Sequence, residues 1–186
     1  MFEDEFTEIQ TDMVDICNEY SCGVADKVFV YAANEGLILT QHFYSLNNCL
    51  YKCSKLNNAG LQTEFDVSID CQRQVLKVLN DNVKKIQTLC EKYNQPIPKL
   101  MKLVYEPKTK KFNADYKYDN QTTDDVSVFD NYNSWFEEEK TKLESQNKSN
   151  GNCRIIKNNA DNKKRKLNKS IADNFRNRIV RSNSQF

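Results

Sequence analysis

Apolar residues in this chain alternate between helical and strand-like spacing, and this alternation limits the possible folds more than any other feature. From Phe2 to Tyr20 the apolar residues recur at intervals of three or four, which predicts an amphipathic helix. This helix should end near Gly23, because glycine readily adopts the left-handed conformation that closes a helix. A second, longer helical stripe begins after Ser68, a good N-cap residue, and stops before Pro96.

The segments between these helices have the composition and period of β-strands. Residues 27–33 and 37–46 are rich in β-branched and aromatic residues and flank the turn signal Asn-Glu-Gly, so they predict a hairpin. A short third strand is expected around residues 49–53. Residues 99–105 and 112–118 predict a second hairpin, and the latter run alternates with a period of two. The residues that share its expected inner face are Phe112, Ala114, Tyr116 and Tyr118.

A third helix is expected after Asp124 and Asp125, which are suited to capping its start. The residues expected to face inward from this helix are Phe129, Tyr132, Phe136 and Leu143. The order helix, hairpin, helix, hairpin, helix predicts an α+β fold in which an antiparallel sheet of two hairpins is packed by three helices. We expect the helices to cover one side of the sheet.

Charge divides the chain into two parts at Gln146. Residues 1–146 hold 16 Lys and Arg against 24 Asp and Glu, whereas residues 147–186 hold 11 against 2. We therefore expect an acidic α+β domain over 1–146 that folds alone, followed by a basic Asn/Lys-rich tail over 147–186 that is disordered or forms a short helix. An acidic body suits a partner with a basic surface. A basic tail suits nucleic acid or the acidic body itself.

Neither the apolar runs of the chain nor its first residues are typical of a membrane or secreted protein. No run approaches the roughly 18 to 20 apolar residues of a membrane helix, and the start MFEDEFTEIQ is acidic rather than basic and apolar. Seven cysteines, an odd number without close pairs, are expected to remain thiols. These features predict a cytoplasmic protein without a membrane partner.

Candidate catalytic and metal-binding residues are few. His42 is the single histidine, and no carboxylate or nucleophile can be placed beside it, so a structural role is expected. Cys49 and Cys53 lack the repeated Cys-x-x-Cys pattern of zinc sites. With only four glycines, the chain also lacks a phosphate-cradling loop. We expect no enzymatic activity, no cofactor and no metal.

One basic cluster lies in the tail and supports a different function. The side chains that form it are Lys163, Lys164, Arg165 and Lys166. Such a cluster is typical of nucleic-acid or nuclear-import patches. The alternative interpretation is therefore a nucleic-acid-associated protein that acts through its tail.

Four features of the sequence together carry a family resemblance: the acidic opening MFEDEF, the strand DKVFVYAANEG, the long central helix and the paired strands LMKLVYEPKTKKFNADYKYDN. In these features the chain resembles the YezG-like immunity proteins, small antitoxins of bacterial polymorphic toxin systems, and KFNADYKYD is the closest match. The resemblance covers residues 1 to about 143. The resemblance implies a toxin inhibitor that works by protein–protein interaction with the toxin encoded beside it, and it implies no catalytic residues.

If the toxin is a nuclease, its substrate groove must be positively charged to hold phosphates, and an acidic protein can occupy that groove. The acidic residues after the last strand are the expected contact surface, with an aromatic side chain as an anchor. The expected partner-binding residues are Asp115, Asp119, Asp124, Asp125, Asp130 and Trp135. The oligomeric state is left open by the sequence.

Overall fold

The computed structural model describes residues 1–149 together with residues 177–178. In chain order the elements are helix α1 (Phe2–Tyr20), strands β1 (Lys27–Glu35), β2 (Leu37–Leu46) and β3 (Cys49–Lys52), a 3-10 helix (Cys53–Ala59), helix α2 (Ile69–Lys92), strands β4 (Leu100–Glu106) and β5 (Lys111–Lys117), and helix α3 (Val128–Ser149). The predicted α+β fold with two hairpins and three helices is confirmed, and the short third strand is present.

The strands form one antiparallel sheet in the order β3-β2-β1-β4-β5. Strand β1 is central: it pairs with β2 along its whole length and with β4 from Val28 to Ala33. In this register Val30 stands opposite His42 on one side and opposite Leu103 on the other. The first half of the chain therefore supplies three strands at one end of the sheet, and the second hairpin completes it at the other.

Helices lie on both faces of the sheet, so the expectation that they cover one side is wrong. Val28 and Val30 belong to the core formed with α1 and α2, whereas Phe29 and Tyr31 belong to a second core formed with α3. Strand β1 is buried almost throughout, which a half-covered sheet would not allow. Its unbroken apolar run Val28–Ala33 is the physical reason, because a strand covered on both faces has no polar face.

Helices α1 and α2 pack together on the first face through the predicted stripes. Met13 and Ile16 of α1 and Leu79 of α2 are fully buried. Burial of each such side chain contributes about 1.5 to 3 kcal/mol to folding. The Ser68 hydroxyl accepts a hydrogen bond from the Cys71 amide at 3.2 Å, as a helix N-cap does. The predicted start of α2 is therefore confirmed.

Helix α3 covers the second face with a stripe that differs in part from the predicted one. Tyr132 and Phe136 are buried as expected, and Trp135 lies between them in the same core. Phe129 is 48% exposed, so its predicted inward position is wrong. Phe129 belongs to the first turn of α3, where Val128 instead packs against the second core and its carbonyl accepts a hydrogen bond from the Tyr31 hydroxyl of β1 at 3.0 Å.

The boundary in charge at Gln146 falls inside α3, which continues to Ser149. Residues 147–149, which begin the predicted tail, are therefore helical, and residues 177–178 are helical as well. The rest of the predicted tail, including the cluster Lys163–Lys166, lies outside the described residues. Of the helices that the structure describes, none combines the length and the apolar composition needed to span a bilayer. The six cysteines in the described part of the chain are free thiols.

Candidate functional site: two acidic surfaces

The predicted acidic residues lie at the end of β5, in the following loop and at the start of α3. Asp115 points to solvent from β5, and its carboxylate is 3.6 Å from the Lys117 ammonium. Asp119, Asp124 and Asp125 are exposed in the loop of residues 118–127. We call these last three residues the acidic loop. They carry no ion pair within the described residues.

Glu35 at the end of β1 fixes this loop to the sheet. Its carboxylate accepts hydrogen bonds from the amides of Gln121 at 2.8 Å and Thr122 at 3.0 Å, and from the Thr122 hydroxyl at 2.6 Å. Partial burial alone would raise the pKa of Glu35, but the bonds from Thr122 and Gln121 outweigh it and lower that pKa. Asn131 of α3 also donates to the Gln121 carbonyl at 3.0 Å. The acidic loop is thus held in place before any partner arrives.

The expected capping of α3 by Asp124 and Asp125 is wrong. These two residues form a turn closed by backbone pairing of Thr123 with Val126. The helix start is instead made by Ser127, whose hydroxyl accepts from the Asp130 amide at 3.2 Å, while the Asp130 carboxylate accepts from the Ser127 amide at 3.0 Å. This reciprocal arrangement is a capping box, and it lowers the pKa of Asp130 through the Ser127 side chain.

Trp135 is a core residue and not a surface anchor. Its side chain is 4% exposed, and its ring packs edge-on against Phe43 at 4.9 Å and against Phe29 at 5.8 Å between centroids. The Lys102 ammonium lies over the face of the ring at 5.4 Å from its centroid. The predicted anchor role would need this ring at the surface, and the ring is instead buried in the second core.

The groups with the most displaced pKa values lie in the sealed core and not in a cleft. His42 and Tyr44 are 0% exposed and Tyr20 is 4% exposed. Burial lowers the pKa of His42 to about 3 and raises the pKa of Tyr44. A substrate has no access to this cluster. Among residues 1–149 and 177–178, no group of three or more His, Cys, Asp or Glu side chains is arranged to hold a metal ion.

A second acidic surface runs along α1, where sequence reasoning predicted only a helix. The carboxylates that line it share one face of the helix and are Asp4, Glu8, Asp12, Asp15 and Glu19. All except Glu19 border a groove of about 780 Å³ whose other wall includes Asn82 and Lys85 of α2. We call the groove together with Glu19 the acidic groove. Its signal in the sequence is the spacing of these carboxylates, which follows the same helical period as the apolar stripe.

Arg178 binds in the acidic groove. One guanidinium nitrogen forms an ion pair with the Asp12 carboxylate, and the other lies 3.3 Å from a carboxylate oxygen of Glu19. The Arg178 side chain is 27% exposed in this position. A contact between the basic tail and the acidic body, one of the two outcomes expected from the charge split, is therefore present at this residue.

Burial makes the acidic groove a favourable place for a cation. It raises the pKa of Asp15 and of Glu19, and the positive charge of Arg178 only partly opposes this effect. Burial alone would lower the pKa of Arg178, but Asp12 and Glu19 more than compensate and raise it. Carboxylates that are partly removed from water repel one another, because water screens their charges incompletely. A cation placed among them reduces this repulsion.

Comparison with known proteins adds no assignment to these two surfaces: no family model matches the chain, and no curated protein matches it.

Proposed function

We propose that this protein is an immunity protein, an antitoxin that binds a cognate toxin domain in the cytoplasm and neutralises it by covering the basic substrate groove of a nuclease. The observation that carries this proposal is the guanidinium of Arg178 held between Asp12 and Glu19. A surface that binds an arginine of its own chain has the chemistry to bind arginines of a basic partner.

The charge of the body supports this mechanism. A nuclease collects positive charge in its groove to hold phosphates, so a protein with excess carboxylates is attracted to the same place. Residues 1–146 carry 24 acidic against 16 basic side chains. The acidic groove and the acidic loop give this excess two defined surfaces, and Asp115 adds a carboxylate on the strand that leads into the loop.

The acidic loop is suited to a rigid contact. Because Glu35 already holds the backbone of Gln121 and Thr122, little further ordering of the loop is needed on binding. Its exposed carboxylates would act mainly on the rate of association, since charges at the rim of an interface steer partners together more than they add affinity. Inhibition of this kind is stoichiometric and requires no catalytic group.

The direct experiment is co-expression with the C-terminal domain of the toxin encoded beside this chain. We expect restored growth, a complex that survives gel filtration, and nuclease inhibition that is complete at about one equivalent of inhibitor. If the folded protein neither restores growth nor forms a complex, the proposed function is wrong.

Matched charge variants then identify the contact surface. The test variant combines Asp119→Asn, Asp124→Asn and Asp125→Asn, which together remove the charge of the acidic loop. Its control removes the same charge from exposed positions of α3 by Glu137→Gln, Glu138→Gln and Glu144→Gln. We expect the loop variant to associate more slowly and with a weaker dependence on salt, and the control to behave like the parent. If the association rate falls equally in the loop variant and in the α3 control, only the total charge of the protein matters and the acidic loop is not the contact surface.

A further inference from the structure

We propose that the acidic groove is a receptor for one arginine of a basic segment in a protein partner, and that Arg178 is its resident competitor. The proposal rests on the proposed function only for the identity of the partner. The preference for arginine and the competition by Arg178 follow from the geometry of the groove, so they can be tested without a toxin.

The arrangement of carboxylates favours arginine over lysine. Asp12 and Glu19 lie about two helical turns apart on one face of α1, and both reach the same guanidinium through different nitrogens. A guanidinium is a planar fork that can bond two separate acceptors at once, whereas an ammonium is a compact point charge. A lysine in this position would form a close ion pair with one carboxylate and only a weaker contact with the other.

One wall of the groove is fixed before a ligand binds. The second oxygen of Asp12 accepts a hydrogen bond from the side-chain amide of Asn82 at 2.5 Å, and Asn82 is 1% exposed. The amide oxygen of Asn82 in turn accepts from the Lys85 ammonium at 3.1 Å, which sets the orientation of the amide. Because α2 holds Asp12 in this way, a guanidinium meets an acceptor that is already in place.

Arg178 leaves part of the groove unused. The oxygen Oε2 of Glu19 is buried and has no hydrogen-bond partner within the described residues, although an arginine presented at another angle has further N–H groups to offer it. The groove also continues along α1 past Asp12 to Glu8 and Asp4. A basic segment from a partner can therefore make contacts that Arg178 alone does not make, and this gives it the means to displace Arg178.

When a residue of the same chain occupies the site, every external ligand binds there with lower apparent affinity. The apparent dissociation constant of a competitor equals its intrinsic value divided by the fraction of molecules in which the site is empty. If Arg178 fills the groove in about nine molecules of ten, removal of its guanidinium should tighten an external arginine ligand about tenfold. This gain is a direct measure of the competition.

The probe for this test is a fluorescently labelled synthetic peptide of residues 170–186, which carries the natural ligand residue Arg178. It is titrated into the full-length parent chain and into the full-length variant Arg178→Gln. We expect the variant to bind the peptide about tenfold more tightly than the parent, and a peptide with Arg178→Lys to lose most of this affinity.

Three controls separate this mechanism from simple attraction between opposite charges. The full-length variant Arg181→Gln removes the same charge and should bind the peptide like the parent. Adding Glu19→Gln or Asp12→Asn to Arg178→Gln should abolish the gain, and the use of both keeps the test valid if one of them fails to fold. Equal peptide affinity for the parent and Arg178→Gln, or an equal gain in Arg181→Gln, would overturn the proposal. Failure to neutralise a toxin, with the peptide results as expected, would instead reject only the proposed function.

Discussion

The imidazole Nδ1 of His42 lies 2.7 Å from the hydroxyl of Tyr44 in a part of the core closed to solvent. The Tyr44 hydroxyl has a single proton and gives it to the Cys17 carbonyl at 2.9 Å. Nδ1 must therefore carry the imidazole proton and donate to Tyr44, which leaves Nε2 as a buried acceptor with no hydrogen-bond partner among the residues that the structure describes. His42 is thus a neutral core residue in one fixed tautomer.

This burial predicts that the protein loses stability in acid partly through His42. The histidine pKa is about 6.5 in an unfolded chain. In the folded protein burial lowers it to about 3. As the pH falls through this window the unfolded chain takes up a proton that the folded protein refuses, so His42 should lower the free energy of unfolding by about 1.4 kcal/mol per pH unit.

The variant His42→Phe keeps a ring of similar size but cannot titrate, so it provides the comparison. Urea unfolding at pH 7, 5.5 and 4.5 should show a shallower loss of stability in the variant, whatever its stability at pH 7. Parallel pH profiles for the two chains would contradict a buried neutral His42. Neutralisation of a toxin should be unaffected at neutral pH, since His42 lies far from solvent.

The capping box at the start of α3 predicts different effects for neighbouring polar residues. Ser127→Ala removes the hydroxyl that accepts from the Asp130 amide and should lower the free energy of unfolding by about 1 kcal/mol. Asp124→Asn and Asp125→Asn should leave stability unchanged, because these side chains make no cap. Denaturant unfolding of the three variants tests this difference. A loss of stability in Asp124→Asn alone would instead support Asp124 as the helix cap, as the sequence predicted.

Trp135 is the only tryptophan of the chain and should report its burial directly. Its fluorescence in the folded protein should be at short wavelength and weakly quenched by acrylamide, and both properties should change on unfolding. Trp135→Ala should destabilise the protein by about 3 to 5 kcal/mol, because it removes the centre of the second core. Strong quenching in the native state would contradict the buried position. Trp135→Phe keeps part of the ring packing and should therefore destabilise the protein less than Trp135→Ala does.

The contacts of Glu35 predict that Glu35→Gln loosens the acidic loop. The carboxylate accepts three hydrogen bonds from Gln121 and Thr122, and bonds to a charged acceptor contribute more than neutral ones. Amide hydrogen exchange of Gln121 and Thr122 should accelerate by about tenfold or more in the variant. The exposed control Glu64→Gln should leave these amides unchanged.

The pH dependence of the loop follows from the same group. Since the folded pKa of Glu35 is lowered, its contribution is present above the unfolded value of 4.5 and disappears as the pH falls through the folded pKa. Exchange at Gln121 and Thr122 in the parent chain should therefore approach that of Glu35→Gln in acid.

The local elements of the fold could be predicted because each rests on residues close in sequence. The stripe from Phe2 to Tyr20 and the N-cap at Ser68 needed only helical periodicity, and both are confirmed. The side of the sheet on which α3 lies depends on contacts between Phe43 and Trp135, which are far apart in the chain. The run Val28–Ala33 contained the missing signal, since a strand with no polar face must be covered twice.

The candidate site was harder to predict for the same reason. The exposed positions of Asp119 and Asp125 follow from a polar loop, but the contact of Glu35 with that loop joins the central strand β1 to the segment after the edge strand β5, which sequence order does not relate. The binding of Arg178 between Asp12 and Glu19 spans almost the whole chain. Charge separation indicated attraction between tail and body, but it could not select one arginine or one helix face.

The central position of β1 has a consequence for how the molecule opens. Amides from Val28 to Ala33 lie between β2 and β4, and the side chains of this strand are shared by both cores. Neither core can lose its packing without exposing the strand that supports the other, so the two should unfold as one cooperative unit. The β1 amides should then exchange with solvent only when the whole chain unfolds, while those of the edge strands β3 and β5 exchange earlier through local fraying.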